Sequence, residues 1–516
     1  MKIKEPLSSQ TSTRELLLYL VFPLALFVLL VFYLNLDYFR YACKRGGDYH
    51  LIALETAKTA HEPVLLGAYS RFGFRHPGPA LFYYYRLMSP LVWFAKHPDG
   101  AYAFLQFALN LIFLLAALLI VFQNTKLKIL TPFLLLIFAL TLTYAREGLL
   151  LDYWNPSSVV VPGLALFLSC TVIAGGRFES AALAAVALIL SLGSHIGTAP
   201  VFLPVTLTGV ALGLWRLKRR DAPLSLTERG PIFLALVLTA TAALPALWEG
   251  ENLRALLEFG LGAAEPRDKT WLQAIAYVGS FYVEPAGKAY YRHAFFCTGA
   301  LATLVALLWL MRFETEAFLY RLRILVTVGI FCAVLGALAI RGRPHQYLMI
   351  YMYMLTALHY WLLLAGTLLI LSKTSFSSRL KNTKIHAAIL ILYLALAASA
   401  WQQNAGDPIC IQPQGKLVAK LGLSKDYAYV VKPYNHKLWQ TMARIVLDAY
   451  RADIDICVPN EWGFMFGNGL VCLDIKGPPS SNVRFIHLHS RHRQKNTAKN
   501  KGVVVGDAVV VIDEET

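Results

Sequence analysis

The sequence predicts an α-helical polytopic membrane protein of about eleven transmembrane helices, followed by a C-terminal soluble α/β domain. Two observations carry this reading. Of 516 residues, 57% are hydrophobic and 15% are charged, whereas soluble domains run at about 45–50% apolar and about 25% charged. The apolar residues also gather into runs suited to crossing about 30 Å of hydrocarbon. Disorder, a coiled coil, a small disulfide-stapled scaffold and an ordinary cytosolic enzyme are excluded. Seven cysteines show no CxxC pair and no His/Cys ligand spacing, which argues against structural zinc or a redox motif.

The first run, residues 15–35, is longer than a signal-peptide core and lacks a small-residue cleavage site behind it. It reads as a retained helix. Further runs lie near 101–123, 128–145, 157–174, 180–194, 198–215, 231–248, 294–311, 324–340, 347–371 and 385–401. The 180–194 run is short and fits a tilted or broken helix. Orientation follows from basic residues in short loops. With the N-terminus in the cytoplasm, the inner segments hold Lys2, Lys4, Arg14, Lys126, Lys128, Arg177, Arg216 and Arg219, then Arg312, Arg321, Arg323, Lys373 and Arg379. The opposite short loop, Ser194–Pro200, has no Lys or Arg. An odd number of crossings places the end of the chain outside.

The formal net charge of +17 would point to nucleic acid on a soluble chain. Here it fits the positive-inside bias and an anionic lipid headgroup instead, so membrane lipids are the expected partners and nucleic acid is not. The expected organisation is a transmembrane module over 1–401, with an external loop at 36–100, and an external α/β domain over 402–516. In that tail, Lys425–Val431, Asp453–Val458 and Gly502–Ile512 read as strands and His436–Tyr450 as an amphipathic helix. Cys410, Cys457 and Cys472 leave room for one disulfide, whose pairing the sequence does not choose. The basic stretch Ser490–Lys501 reads as a solvated face or a contact with anionic lipid.

Chemistry-bearing residues cluster in the outward segments. The first carries Arg45-Gly-Gly-Asp48, an amphipathic stretch at 49–62, then Arg71, Arg75 and His76-Pro-Gly-Pro79, then an aromatic run including Tyr84. Asp48 suits a general base for a hydroxyl and equally a helix N-cap. The prolines around Gly78 fix a turn, and interfacial tyrosines suit the lipid–water boundary. Asp152-Tyr-Trp154-Asn155-Pro156 follows between two spans. Asp152 reads as an acceptor-orienting or cation-binding acid, or as a plain loop residue. His195 lies between two further spans, a functional candidate or a simple interfacial group. Arg341-Gly-Arg343 occupies a late outward turn, where guanidinium geometry suits phosphate oxygens or bare lipid anchoring.

In its order of motifs, this arrangement resembles the GT-C superfamily of integral-membrane glycosyltransferases. The resemblance rests on Asp48 in the first outward loop, His76–Pro79 before the second span, Asp152–Pro156 in a later outward loop and His195 between two spans. It spans roughly residues 10–400 and is similar in particular to bacterial lipid A aminoarabinose transferases and Rgt-type lipopolysaccharide glycosyltransferases. Gly78 stands where those relatives carry a proline. The resemblance implies an inverting transferase of the bacterial inner membrane with its C-terminal domain in the periplasm. It would move a sugar from a polyprenyl-phosphate donor to a lipid-linked or cell-envelope glycan acceptor. Asp48 and Asp152 would be catalytic, and Arg71, Arg75, Arg341 and Arg343 would hold the donor phosphate. His76, Tyr84, Trp154, Asn155 and His195 would touch substrate. No cofactor is certain, and a divalent cation stays open. A transporter or flippase is the main alternative, but midplane charges and a two-fold repeat are missing from the sequence. An O-antigen ligase or polymerase would carry its catalytic loop late, whereas the densest chemistry here lies at 45–85.

Overall fold

A computed structural model describes residues 12–41, 46–145, 148–220, 223–261, 269–283, 293–311, 313, 316–340, 342, 344–373, 416–472, 483–490, 502–505 and 508–514. In chain order the helices are α1 (Thr13–Leu34), α2 (Leu36–Tyr41), α3 (Gly47–Lys58), α4 (Ala80–Met88), α5 (Pro98–Asn124) and α6 (Leu130–Ala145). Then come α7 (Val160–Ile173), α8 (Ala181–Ser194), α9 (Ala199–Lys218), α10 (Leu226–Trp248) and α11 (Gly250–Leu261). The series continues through α12 (Trp271–Val283), α13 (Ala294–Leu310), α14 (Ala317–Ala339) and α15 (Met352–Leu371), and ends on α16 (Lys416–Leu421) and α17 (Trp439–Arg451). The chain forms two compact units. One gathers Met1–Leu36, Gln106–Trp248 and Leu257–Gly406, and the other Asp37–Leu105, Glu249–Leu256 and Asp407–Thr516.

The first unit is helical. Among the described residues, 6 helices are long and apolar enough to cross a membrane (α1, α5, α9 with the turn before it, α10, α14 and α15), and four further apolar helices are 10–17 residues long. The apolar helices are those of a polytopic membrane protein, and among the described residues six of the eleven expected spans reach full length. The expected run at 385–401 lies outside the described residues. Helix α7 is buried on every side from Val160 to Ile173 and forms the axis of this unit. Phe167 of α7 meets Phe202 of α9 edge-on, with ring centroids 6.1 Å apart. Trp361 of α15, fully buried, donates its indole N–H to the Leu130 carbonyl at 2.9 Å. Helix α10 instead exposes Phe233, Leu236 and Leu244, as suits a surface whose solvent is lipid.

Two boundaries differ from expectation. Helix α14 starts at Ala317 and takes Arg321 and Arg323 into its first turns as buried residues. Arg323 donates to the Met311 carbonyl at 3.0 Å and lies 4.5 Å over the Trp309 ring. A long arginine stem is apolar, so hydropathy underestimates how deep it sits. Helix α12 forms inside a segment that reads as a loop. Its Ala274 and Ala276–Tyr282 are buried, and Gly279 packs so closely on α13 that a Cβ would stand 2.2 Å from the Cys297 carbonyl oxygen.

The second unit is mixed. Its sheet has the strand order β2-β1-β3-β5-β4. β1 (Ala428–Pro433) runs parallel to both β2 (Ile456–Cys457) and β3 (Val483–Ser490). β5 (Ala508–Glu514) runs antiparallel to β3 and to β4 (Val503–Val505). The run expected as one strand at 502–512 is therefore a pair, and β3 is an addition. Cys457 and Cys472 form a disulfide, while Cys410 lies outside the described residues. Helix α17 buries Met442, Ala443, Ile445 and Val446 and packs against the sheet and against α3.

Candidate functional site

In the second unit the site begins at the N-terminus of α3. Gly46 is the N-cap, with no side-chain capping bond, and Asp48 falls in the first turn. Asp48 is therefore not the N-cap residue, and it lies where the helix dipole favours negative charge. Asp48 is half-buried, and its Oδ1 accepts the Tyr69 hydroxyl at 2.6 Å. Tyr69 is held edge-on by Trp439 and by Phe464, each ring 6.2 Å away. Trp439 also lies against Gly47, where a Cβ would stand 2.3 Å from the indole. Glycine at 47 is what lets α17 and α3 approach beside the carboxylate.

The segment carrying Arg71, Arg75 and His76 is a tight hairpin. Gly67 and Ala68 exchange backbone bonds with His76, Ser70 bonds Phe74, and Tyr69 bridges Arg75. The left-handed glycine of this turn is Gly73, with φ +82°, rather than Gly78. Arg71 is exposed at the tip, over the Phe72 ring. Arg75 is turned inward. It pairs with buried Glu55 at 3.0 Å and donates Nε to the Gly67 carbonyl at 3.1 Å. Glu55 is shared with Lys58 at 3.2 Å, and Lys58 also donates to the Phe466 carbonyl. Asn252 closes the other side, accepting from the Arg75 N–H at 2.7 Å and donating to its carbonyl at 3.0 Å. His76 is buried beside Phe74. Tyr84 donates to the Leu105 carbonyl at 2.8 Å, and burial pushes its phenol up to about 12.

The first unit brings the other sequence-predicted residues together. Asp152, Asn155 and His195 are all buried. Asp152 Oδ2 accepts the Ser157 hydroxyl at 2.8 Å, and Oδ1 accepts the Trp154 N–H at 3.3 Å. Asn155 Nδ2 donates to the Ser194 carbonyl at 2.9 Å, which ties this loop to the residue before His195. Burial, opposed by the Leu348 carbonyl, pushes the His195 imidazole down to about 4, so it is neutral near pH 7. Trp154 lies 5.4 Å from the Tyr347 ring, and Tyr347 stacks on His345. Arg341 and Arg343 lie outside the described residues. The glycine between them has φ +61°, and Lys269 donates to its carbonyl and to that of Ile340, each at 2.6 Å.

Three separate sequence clusters, at 152–156, at 195 and at 345–347, thus meet in one place. Sequence reasoning missed Tyr69, Glu55, Asn252, Ser157 and Lys269 as their partners. The signal for Ser157 was present as a hydroxyl directly after Asn-Pro. The others are joined across long sequence separations and left no local mark. As for a divalent cation, both Asp152 oxygens already accept protein donors. Among the described residues, no three or more His, Cys, Asp or Glu are grouped so as to hold a metal ion.

No protein-family model matches the chain, and no curated protein matches it. Among solved structures it is similar to archaeal oligosaccharyltransferase AglB from Archaeoglobus fulgidus, determined in complex with an inhibitory peptide and a dolichol-phosphate. The identity is 13% and the TM-score 0.44, over 83% of this chain and 64% of that one. The chain therefore spans less than two thirds of the length of that protein.

Proposed function

We propose that the protein is a membrane glycosyltransferase of the GT-C type, transferring a sugar from a polyprenyl-phosphate donor to a lipid-linked or cell-envelope glycan acceptor at the periplasmic face of a bacterial inner membrane. The observation that carries this reading is the Asp48 carboxylate, half-buried in the first turn of α3 shortly after the first span and oriented by the Tyr69 hydroxyl. A donor with a lipid-soluble tail and a water-soluble head needs its polar catalyst at that boundary.

In the proposed reaction the acceptor hydroxyl gives its proton to Asp48 as its oxygen bonds to the anomeric carbon. The bond from that carbon to the phosphate oxygen breaks on the opposite side, through an oxocarbenium-like transition state. Polyprenyl phosphate leaves and the configuration inverts. Exposed Arg71 is proposed to meet the charge developing on the phosphate. Arg75, which is engaged by Glu55 and Gly67, holds the hairpin that presents Arg71. Asp152, Trp154, Asn155 and neutral His195 are proposed to position substrate, with His76 and Tyr84 shaping the first outward segment.

The test is Asp48→Asn in membranes supplied with radiolabelled polyprenyl-phosphate sugars. Loss of general-base catalysis lowers transfer about 10²–10⁴-fold. Transfer at the wild-type rate by a folded variant overturns the reading. Donor that crosses the bilayer without any transfer, in wild type and variant alike, turns it to a flippase.

A further inference from the structure

A cleft of about 1020 Å³ opens in the second unit between the C-terminal ends of α3 and α17 and the loop that enters β2. Asp48 sits in the first turn of α3, and the cleft is lined from the other end of that helix, so the two places are distinct. Its floor is apolar, with buried Ile454 and Ile456. Its polar lining includes His61, Tyr450, Arg86, Arg451, Asp453 and Asp455.

Asp453 breaks two rules of helix termination. It follows α17 with φ +56°, where glycine is the usual residue. It also sets a carboxylate at the negative end of the helix dipole. Its pairing with Lys425, at 2.8 Å, is between exposed groups and contributes little. The left-handed backbone strains a residue other than glycine at this position, and that strain is better explained by what the cleft binds.

We infer that this cleft is a saccharide-binding site for a short, uncharged oligosaccharide. Guanidinium groups offer only donors and carboxylates only acceptors, while sugar hydroxyls can serve as either. Arginines and aspartates line the cleft in equal number. The aspartates repel a phosphate, and the arginines repel a metal ion. The rings of Tyr450 and His61, 6.1 Å apart and edge to face, add apolar surface for sugar C–H groups at the mouth. The volume is at the upper end of the roughly 300–1,000 Å³ that hold compact organic ligands, which fits several linked rings. The inference deepens the transferase reading by naming a glycan that the protein holds, and it does not depend on Asp48 as base.

The test is saturation-transfer NMR on the full chain in nanodiscs, with chitotriose, maltotriose and mannotriose as probes and inorganic phosphate as competitor. At least one trisaccharide is expected to receive saturation, undisturbed by phosphate. Asp455→Ala is expected to weaken that binding about tenfold, the equivalent of one charge-assisted hydrogen bond. Ala60→Trp, which fills the cleft without removing a hydrogen bond, is expected to abolish it. Absence of transfer from all three sugars overturns the inference, as does binding that survives both substitutions or that phosphate displaces. Sugar binding that persists in Asp48→Asn, alongside undiminished transfer, sinks the base assignment and leaves the cleft standing. Loss of transfer in Asp48→Asn with no sugar binding does the reverse.

Discussion

The hydroxyl of Tyr69 donates to the Asp48 carboxylate and orients it. Tyr69→Phe removes that oxygen and keeps the ring that packs against Trp439 and Phe464. We expect kcat to fall about tenfold at unchanged donor KM, since a net hydrogen bond is worth about 1 kcal/mol or somewhat more to a charged partner. A raised KM with unchanged kcat would instead make Tyr69 a binding residue. Gly47→Ala is expected to destabilise the second unit by about 1–3 kcal/mol, the usual cost of overpacking a close contact. Urea unfolding read at the tail would check this, and an unchanged midpoint would mean that the Trp439 indole swings aside. Asp48 was legible in the sequence because its position after the first span and two glycines is a local pattern. Tyr69 was not, because nothing near it says that it folds back onto residue 48. Arg75 shows the same limit from the other side. Nothing near Arg75 in the sequence says that its guanidinium pairs with Glu55.

At the scale of elements, α17 meets α3 and the start of α5 through a polar group whose His50, His97, Asp99 and Asp448 are buried and whose Arg444 is exposed. His50, His97, Asp99, Arg444, Asp448 and Arg451 act on one another there. Burial pushes the His50 imidazole from 6.5 down to about 4, aided by Arg444 and Arg451 and opposed by Asp99. The folded state thus keeps His50 neutral while the unfolded chain takes up a proton below its ordinary value. That stabilisation is complete above pH 6.5 and is lost as pH falls toward 4, a change of about 3 kcal/mol. His97 is lowered for the same first reason and adds to the slope. Pulse proteolysis in urea across this range is expected to show stability falling with acid, with a shallower fall in His50→Asn. An identical slope in the variant would remove His50 from the account. The Cys457–Cys472 bond closes a 15-residue separation, and breaking it by Cys457→Ser with Cys472→Ser is expected to cost about 3 kcal/mol in the same assay. Helix α17 was readable from its amphipathic spacing. Strand β3 was not, because adjacent Phe485 and Ile486 are both buried and break its alternation. The β4–β5 pair was merged because a valine-rich run does not show where it folds back.

At the scale of the whole molecule, the second unit is assembled from three separate stretches of chain, a long-range grouping that hydropathy cannot display. A compact unit of this polarity lies on one side of a bilayer, so the chain that leaves it must return by an even number of crossings. Between residues 105 and 249 this is met if each of α5–α10 crosses, including the 14-residue α7 and α8, which are short for a full hydrocarbon thickness and need a locally thin bilayer. Between residues 256 and 407 it is met by α13, α14, α15 and one further crossing, which the sequence leads one to expect at the apolar run 385–401, provided that α12 does not cross. At 13 residues, α12 is about as short as α7 and α8, so the even count of crossings, not its length, decides that it stays on one side. It is therefore expected to enter and leave on the face that carries the second unit. Single cysteines at Ser70, Thr270, His293 and Lys437, all at positions that are half-buried or exposed, provide the measurement. With the N-terminus inside, an impermeant thiol reagent added to intact cells should label all four, while a cysteine at Lys218 stays protected until the membrane is opened. Protection at 293 with labelling at 270 would make α12 a crossing helix. Opposite labelling of 70 and 437 would separate the first outward segment from the tail and remove the unit from which Asp48 is argued to act.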